Sequence, residues 1–289
     1  MATGLMPIQP NGSANGSLQS SEPVFPLRLI VPTRDSHLLL PRLVASLREQ
    51  TFPHWRVTFI DGGSAADHRS WLDELCNSDS RFEWRRQDPD KVGIYGAMNQ
   101  GFALADVADW LLFWGSDDWA ADATVLAQLQ ASLARCNASG SAPDLLVCQG
   151  RYYQIAADSP PRASRRTSFH WRRSYRHSLL LGSTPPHQAT LIGPGARRRL
   201  RGYADGYRLS ADLDYFLQLS ADPGLRVCCS SLELVHMGAG GVSGQQTRCR
   251  LQEVRRAYRR AFGWLWWFPF LTRYIQRIVS RLKAAEHEP

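Results

Sequence analysis

The chain lacks the cysteine spacings that build small metal modules. Its six cysteines, Cys76, Cys136, Cys148, Cys228, Cys229 and Cys249, include no CxxC pair and no CxxC with a matching pair of histidines. That excludes a zinc finger or ribbon, and a chain of 289 residues needs no disulfide staple to hold a core. The pattern suits a reducing cytoplasm, with neighbouring Cys228 and Cys229 read as small buried groups of a strand. No predominantly apolar stretch of 18 or more uncharged residues occurs, so no conventional membrane-spanning helix is expected. The start of the chain also lacks the basic residues and continuous apolar run of a secretory signal. Lysine is nearly absent, and the abundant arginines come with no RNP motif or basic-zipper heptads, so nucleic acid is not an expected partner. No internal repeat is found.

What is present is enough apolar residue, 44% of the chain, to bury one large domain with an appendage. Residues 1–24 are the exception: Asn11 to Ser17 carries no periodicity and no large apolar group, which predicts a flexible extension. Charge is divided unevenly. Residues 1–150 hold 11 Lys and Arg against 17 Asp and Glu, whereas residues 151–289 hold 23 against 9, so the halves carry −6 and +14. Arginine, whose planar fork suits bidentate contact with phosphate, supplies almost all of the positive charge.

Strand and helix patterns alternate over the first half. Leu27 to Val31 stops at Pro32-Thr33-Arg34 and is followed by leucines at helical spacing. Trp55 to Ile60 ends in Asp61-Gly62-Gly63-Ser64, Phe82 to Arg85 precedes Asp88-Pro89-Asp90-Lys91, and Trp110 to Trp114 ends in Ser116-Asp117-Asp118. Helices are predicted around Leu72, over Ile94 to Leu104 and over Ala121 to Arg135, and a further strand over Leu145 to Cys148. Such alternation implies an α/β fold, Rossmann-like, with a mostly parallel sheet flanked by helices and ligands at the strands' carboxyl ends. The four polar turns fall at that end. Residues 151–183, rich in Arg, Ser and Pro, are expected to form loops or a partly ordered flap. Ser210 to Leu219 reads as a helix whose first turn carries Asp212 and Asp214, favourable against its positive dipole end.

Adjacent carboxylates at a strand's end suit a hard divalent cation, Mg²⁺ or Mn²⁺, whose remaining ligands come from substrate phosphates and water. A diphosphate substrate follows from that. Their plainer role is to open the next helix.

Five segments together give the chain a family likeness: Val31-Pro32-Thr33; Ser46 to Pro53 leading into Asp61-Gly62-Gly63-Ser64; Asp88 to Gly101, with its Gly93-Ile94-Tyr95-Gly96-Ala97-Met98-Asn99-Gln100-Gly101 core; Ser116-Asp117-Asp118; and His187-Gln188 followed by Ala211-Asp212-Leu213-Asp214. From about Leu27 to Ser243 the chain resembles the family 2 glycosyltransferases of GT-A fold, most of all those that build bacterial surface polysaccharides. The resemblance implies a GT-A domain over 25–245, an inverting transfer from a nucleotide diphosphate sugar, and Mn²⁺ or Mg²⁺ as cofactor. It would place Pro32, Thr33, Arg34, Asp61 and Lys91 at the nucleotide, Asp117 at ribose or sugar, Asp118 on the metal and Asp212 as general base. His187, Gln188 and Asp214 would line the sugar pocket, and His236 would complete the metal shell. Gly96, Gln100 and Gln218 depart from residues frequent at those positions in relatives. A sugar nucleotidyltransferase is the second enzymatic reading, although no glycine-rich phosphate loop follows the first strand; a membrane-associated GT-A scaffold without chemistry is the third.

Residues 246–289 are expected to form a basic amphipathic helical region. Arg248 to Lys283 holds ten Arg and Lys against the single acid Glu253, around the aromatic block Phe262 to Leu271. Tryptophan and arginine together favour an anionic membrane surface. Peripheral attachment at the inner face of a membrane, with a saccharide or polyprenyl-linked acceptor, is the resulting expectation; packing of the aromatics on protein is its rival.

Overall fold

The computed structural model describes residues 24–138, 142–156, 159–167, 169–239 and 247–285. The flexible extension expected over 1–24 lies outside them apart from Val24. In chain order the elements are β1 (Leu27–Thr33), α1 (Leu40–Arg48), β2 (Trp55–Asp61), α2 (Ala66–Ser78), β3 (Phe82–Arg86), α3 (Ile94–Leu104), β4 (Trp110–Phe113) and β5 (Trp119–Ala120). The second half contains α4 (Val125–Asn137), β6 (Leu145–Ala156), β7 (Ser159–Thr167), α5 (Tyr175–Leu180), β8 (Thr190–Ile192), α6 (Pro194–Arg199), α7 (Ala211–Leu219), β9 (Val227–Gly238), α8 (Thr247–Phe262) and α9 (Trp267–Ala285).

One sheet runs in the order β3-β2-β1-β4-β8-β6-β9-β5, with β7 added to β6. The β3-β2-β1-β4 half is parallel, as the alternating pattern predicts, and its strands read as continuous apolar runs because both faces are covered. Helices α1, α2 and α4 bury Leu40, Leu43, Leu72 and Leu129 on one face. On the other, α3, α5, α6, α7 and α8 contribute Phe102, Leu179, Ala196, Phe216 and Tyr258. The second half of the sheet is mixed, with β8 antiparallel to β4 and β6, and β9 parallel to β6.

Two expectations need correction. Residues 151–156 complete β6, and 159–167 form β7, antiparallel to it, rather than loops. Pro160 and Pro161 hid this strand, but β7 is an outer strand, where proline's missing N–H costs no ladder bond. Cys228 is only half-buried and Cys229 is exposed, because this end of β9 lies near the surface; no disulfide forms among the described residues.

Within 246–289, α8 is part of the core layer rather than a loose appendage, since Val254, Ala257 and Tyr258 are buried. Helix α9 docks on the end of α5, where Gly182 adopts φ 86° and the Arg273 backbone packs against it. The Arg273 guanidinium donates to Thr184 Oγ1 at 2.8 Å and Gln276 Nε2 donates to the Leu181 carbonyl at 2.7 Å. Trp264, Trp267, Leu271 and Ile275, at helical spacing, stay exposed.

Candidate active site

Parallel strands deliver β1, β2 and β4 to a common edge, and their turns interlock there. Gly62 N donates to the Thr33 carbonyl at 2.9 Å. The Thr33 hydroxyl lies 2.6 Å from Ser36 Oγ and 3.2 Å from His68 Nε2, and Ser36 Oγ donates to Ser116 Oγ at 2.9 Å. Asp35 is held at φ 47°, with its N–H on Ser64 Oγ and its carboxylate accepting from Ala65 N. Thr33 is thereby buried, whereas Arg34 and Lys91 are exposed. Asp61 differs from expectation: it is fully buried and its carboxylate accepts both the N–H and the hydroxyl of Ser64. It fastens the turn, and a base could reach it only if that turn opened.

The most specific motif proves to be a set of clamps. A Cβ on Gly101 would strike Ile30, so glycine lets α3 sit directly on β1, and a Cβ on Gly96 would strike the Lys91 carbonyl. Asn99 pairs reciprocally with the Tyr203 backbone, at 2.7 and 3.0 Å. Gln100 bridges the Arg86 carbonyl and the Asp88 N–H, both at 2.9 Å. Tyr95 donates its hydroxyl to Asp212 Oδ1 at 2.7 Å. Burial first, and the Asp212 charge second, hold the Tyr95 phenol well above its ordinary pKa, so it stays a donor. Asp212 stands in the first turn of α7.

His187 joins the same wall. Its ring stacks on Phe113 at 5.6 Å and Nε2 lies 2.7 Å from the Tyr203 hydroxyl, while Tyr203 packs on Tyr95 at 5.2 Å. Burial lowers the imidazole pKa, leaving it neutral at pH 7. Gln188 is partly buried beside it, its carbonyl accepting from Trp114 Nε1 at 3.0 Å.

Asp117 and Asp118 follow β4. Asp118 is 3% exposed and accepts the Gly115 N–H at 2.6 Å; burial, then the charge of Asp117, raise its pKa well above the carboxylate range. Burial raises Asp117 as well. Neither has a Lys or Arg partner among the described residues. No group of three His, Cys, Asp or Glu gathers among the described residues. Two uncompensated carboxylates fit a hard cation that fills its shell with water and phosphate oxygens.

His236 is not brought to them. Trp119 and His236 are register partners, their rings 5.5 Å apart, and His236 Nε2 lies 3.0 Å from Glu233 Oε1. Extending that register by one residue sets Asp118 beside Met237, and neighbouring rows of a sheet point to opposite faces. The imidazole therefore faces the groove formed with Tyr153 and Arg151.

Asp214 also leaves the sugar pocket. It is 1% exposed and accepts from the Tyr207 hydroxyl at 3.0 Å, from Gln218 and from the Arg260 guanidinium, joining α7 to α8. Replacing Asp214 by Ala strands these donors, and the expected loss is about 2–3 kcal/mol, seen as a melting point lowered by roughly 5–10 °C. An unchanged melting point would contradict this assignment.

Tyr152 on β6, which no sequence motif marks, lies within reach of the charges of both acidic centres. Burial raises its phenol pKa; Arg165 and Arg250 oppose that, and the charges of Asp118 and Asp212 both add to it. Asp118 and Asp212 therefore both stand close enough to this hydroxyl for their charges to bear on it.

Comparison with known proteins agrees with the fold. The sequence profile described as Glycosyl transferase family 2 matches residues 29–199. A "PGL/p-HBAD biosynthesis glycosyltransferase" of Mycobacterium bovis (strain BCG / Pasteur 1173P2) is 28% identical over 198 residues, covering 68% of this chain and 70% of the relative. Among solved structures, S. aureus TarS 1-349 superposes with a TM-score of 0.61 at 14% identity over 81% of this chain, which spans 64% of that protein's length. The mannosyltransferase PcManGT from Pyrobaculum calidifontis, solved with GDP-Man and Mn²⁺, gives a TM-score of 0.56 at 13% identity, covering 81% of this chain and 63% of that one. At those identities the likeness concerns the fold.

Proposed function

We propose, from the premise that this chain belongs to glycosyl transferase family 2, that it transfers a sugar from a nucleotide diphosphate sugar to an acceptor hydroxyl with inversion at the anomeric carbon. The observation that carries this reading is the buried, unpaired Asp118 beside Asp117 after β4, together with Asp212 held by the Tyr95 hydroxyl in the first turn of α7. Asp212 Oδ1 is fixed by Tyr95, which leaves Oδ2 to take the acceptor's proton. As the acceptor oxygen bonds to the anomeric carbon, the bond from that carbon to the diphosphate breaks and the nucleoside diphosphate leaves. Asp118, with Asp117 beside it, would hold Mn²⁺ or Mg²⁺, which when bound neutralises charge developing on the diphosphate. Exposed Arg34 and Lys91 flank the nucleotide end of the cleft, and His187, Gln188 and the Tyr203 hydroxyl line the sugar end. A screen of nucleotide sugars for release of nucleoside diphosphate tests the reading: release with some donor supports it, and none with any donor and acceptor, despite bound nucleotide, would favour a non-catalytic scaffold.

The acceptor in this reading is a saccharide or polyprenyl-linked saccharide presented at a membrane. No described helix is long and apolar enough to cross one. Support for peripheral attachment comes from exposed Trp264, Trp267, Leu271 and Ile275 on a segment within the +14 half of the chain. Vesicles containing phosphatidylglycerol should sediment the protein, and replacing those four residues by Ser should release it at least tenfold. Wild-type protein that stays in the supernatant would contradict attachment.

A further inference from the structure

Among the arginines of β6 and β7, Arg165 is set apart by where it stands. Arg151, Arg165 and Arg166 are neighbours there. Arg151 and Arg166 both engage Glu233, at 2.9 and 3.1 Å, on the His236 face. Arg165 has no carboxylate partner among the described residues; its guanidinium lies 5.3 Å over the Tyr152 ring.

Register explains why Arg165 differs from its neighbour. Arg151 pairs with Arg166 and Tyr153 with Ala163, with a shift between them that sets Arg165 across from Tyr152. Tyr152 pairs in turn with Met237 on β9, and Met237 stands beside Asp118 in the extended β5–β9 register. A single row thus runs Asp118, Met237, Tyr152, Arg165, and side chains of one row point to one face. The adjacent row, Trp119, His236, Arg151, Arg166, points to the other. Asp118 and Tyr152 are two strand spacings apart, about 10 Å. Asp118 would hold a cation on one side of that gap, and a donor diphosphate bound there would lie between it and the guanidinium.

We propose that Arg165, carried over the Tyr152 ring, binds the β-phosphate of the donor nucleotide from the side opposite Asp118. The inference rests on the glycosyl-transfer reading and adds to it a residue the family likeness did not indicate. Tyr152 acts as a platform: its ring face holds the guanidinium by a cation–π contact and limits the orientations Arg165 must give up on binding phosphate. The acidic pair and the arginine then clamp the departing diphosphate between opposite charges.

The test is calorimetric titration of the full chain with UDP, UMP, GDP and GMP, each with Mn²⁺. The Arg165→Ala variant, altered at an exposed position, should bind the diphosphate that wild type prefers at least tenfold more weakly, about 1.4 kcal/mol, and the matching monophosphate within twofold. Arg165→Lys should recover part of the loss. Tyr152→Phe, which keeps the ring, should retain diphosphate affinity, whereas Tyr152→Leu should lose it. Undiminished diphosphate binding by Arg165→Ala, or an equal loss for mono- and diphosphate, overturns the assignment while leaving glycosyl transfer intact. Wild-type protein that binds none of the four nucleotides would instead sink the donor reading on which it depends.

Discussion

Asp118→Asn is expected to melt higher than wild type at neutral pH while losing the metal-dependent part of donor binding. Burial and the Asp117 charge raise the Asp118 carboxyl well above its ordinary range. An acid whose pKa is raised by folding holds its proton more tightly folded than unfolded. Stability is therefore full below the unfolded value and falls as pH rises toward the folded one, so at pH 7 the ionised, unpaired carboxylate is a cost. Asparagine keeps the acceptor for the Gly115 N–H and removes that charge. The melting point should rise by a few degrees, about 2–4 °C for each kcal/mol recovered in a chain of this length. Function moves the other way: nucleoside diphosphate affinity in Mn²⁺ should fall at least a hundredfold, about 2.7 kcal/mol, toward that of wild type in chelator. Since the cation needs the carboxylate ionised, wild-type affinity for Mn²⁺ should climb with pH, with protons released on binding. A variant less stable than wild type, or one that binds donor as well, would show that Asp118 serves the fold and not the ligand.

Asp212→Asn should do the reverse, leaving donor binding within twofold while lowering kcat by about 10²–10⁴. The amide still accepts the Tyr95 hydroxyl, so geometry is retained and only proton acceptance is lost. Asp214, two residues along, provides the contrast. Its loss strikes the α7–α8 contact, with Arg260 and Tyr207 as the groups left unpaired. The two acids share a helix turn and separate by direction: one faces the cleft, the other the core. Turnover by Asp212→Asn at the wild-type rate would remove the proposed base.

The parallel half of the sheet and its polar turns were legible because buried parallel strands write themselves as unbroken apolar runs, such as Leu111-Leu112-Phe113. The Gly93 to Gly101 motif was legible as a signature but not as a set of contacts. Only coordinates reveal that Tyr95 reaches Asp212 and Asn99 reaches Tyr203, 117 and 104 residues away. The bonds that Asp61 accepts from Ser64, three residues on, could not be read from sequence, since they depend on the turn's shape. His236 failed for another reason: one residue of register decides which face a side chain takes, and register across β5, β9, β6 and β7 is set by pairings far apart in the chain. The same pairings place Tyr152 and Arg165 in the Asp118 row. Their segment, rich in arginine, serine and proline, offered composition without period.

The most direct test of the account is a crystal structure of the Asp212→Asn variant with Mn²⁺ and the intact nucleotide sugar selected by the release screen. The account predicts the diphosphate between Asp118 and Arg165, with the sugar's anomeric carbon turned toward residue 212. A donor seated elsewhere, or one whose anomeric carbon faces away from α7, would contradict it.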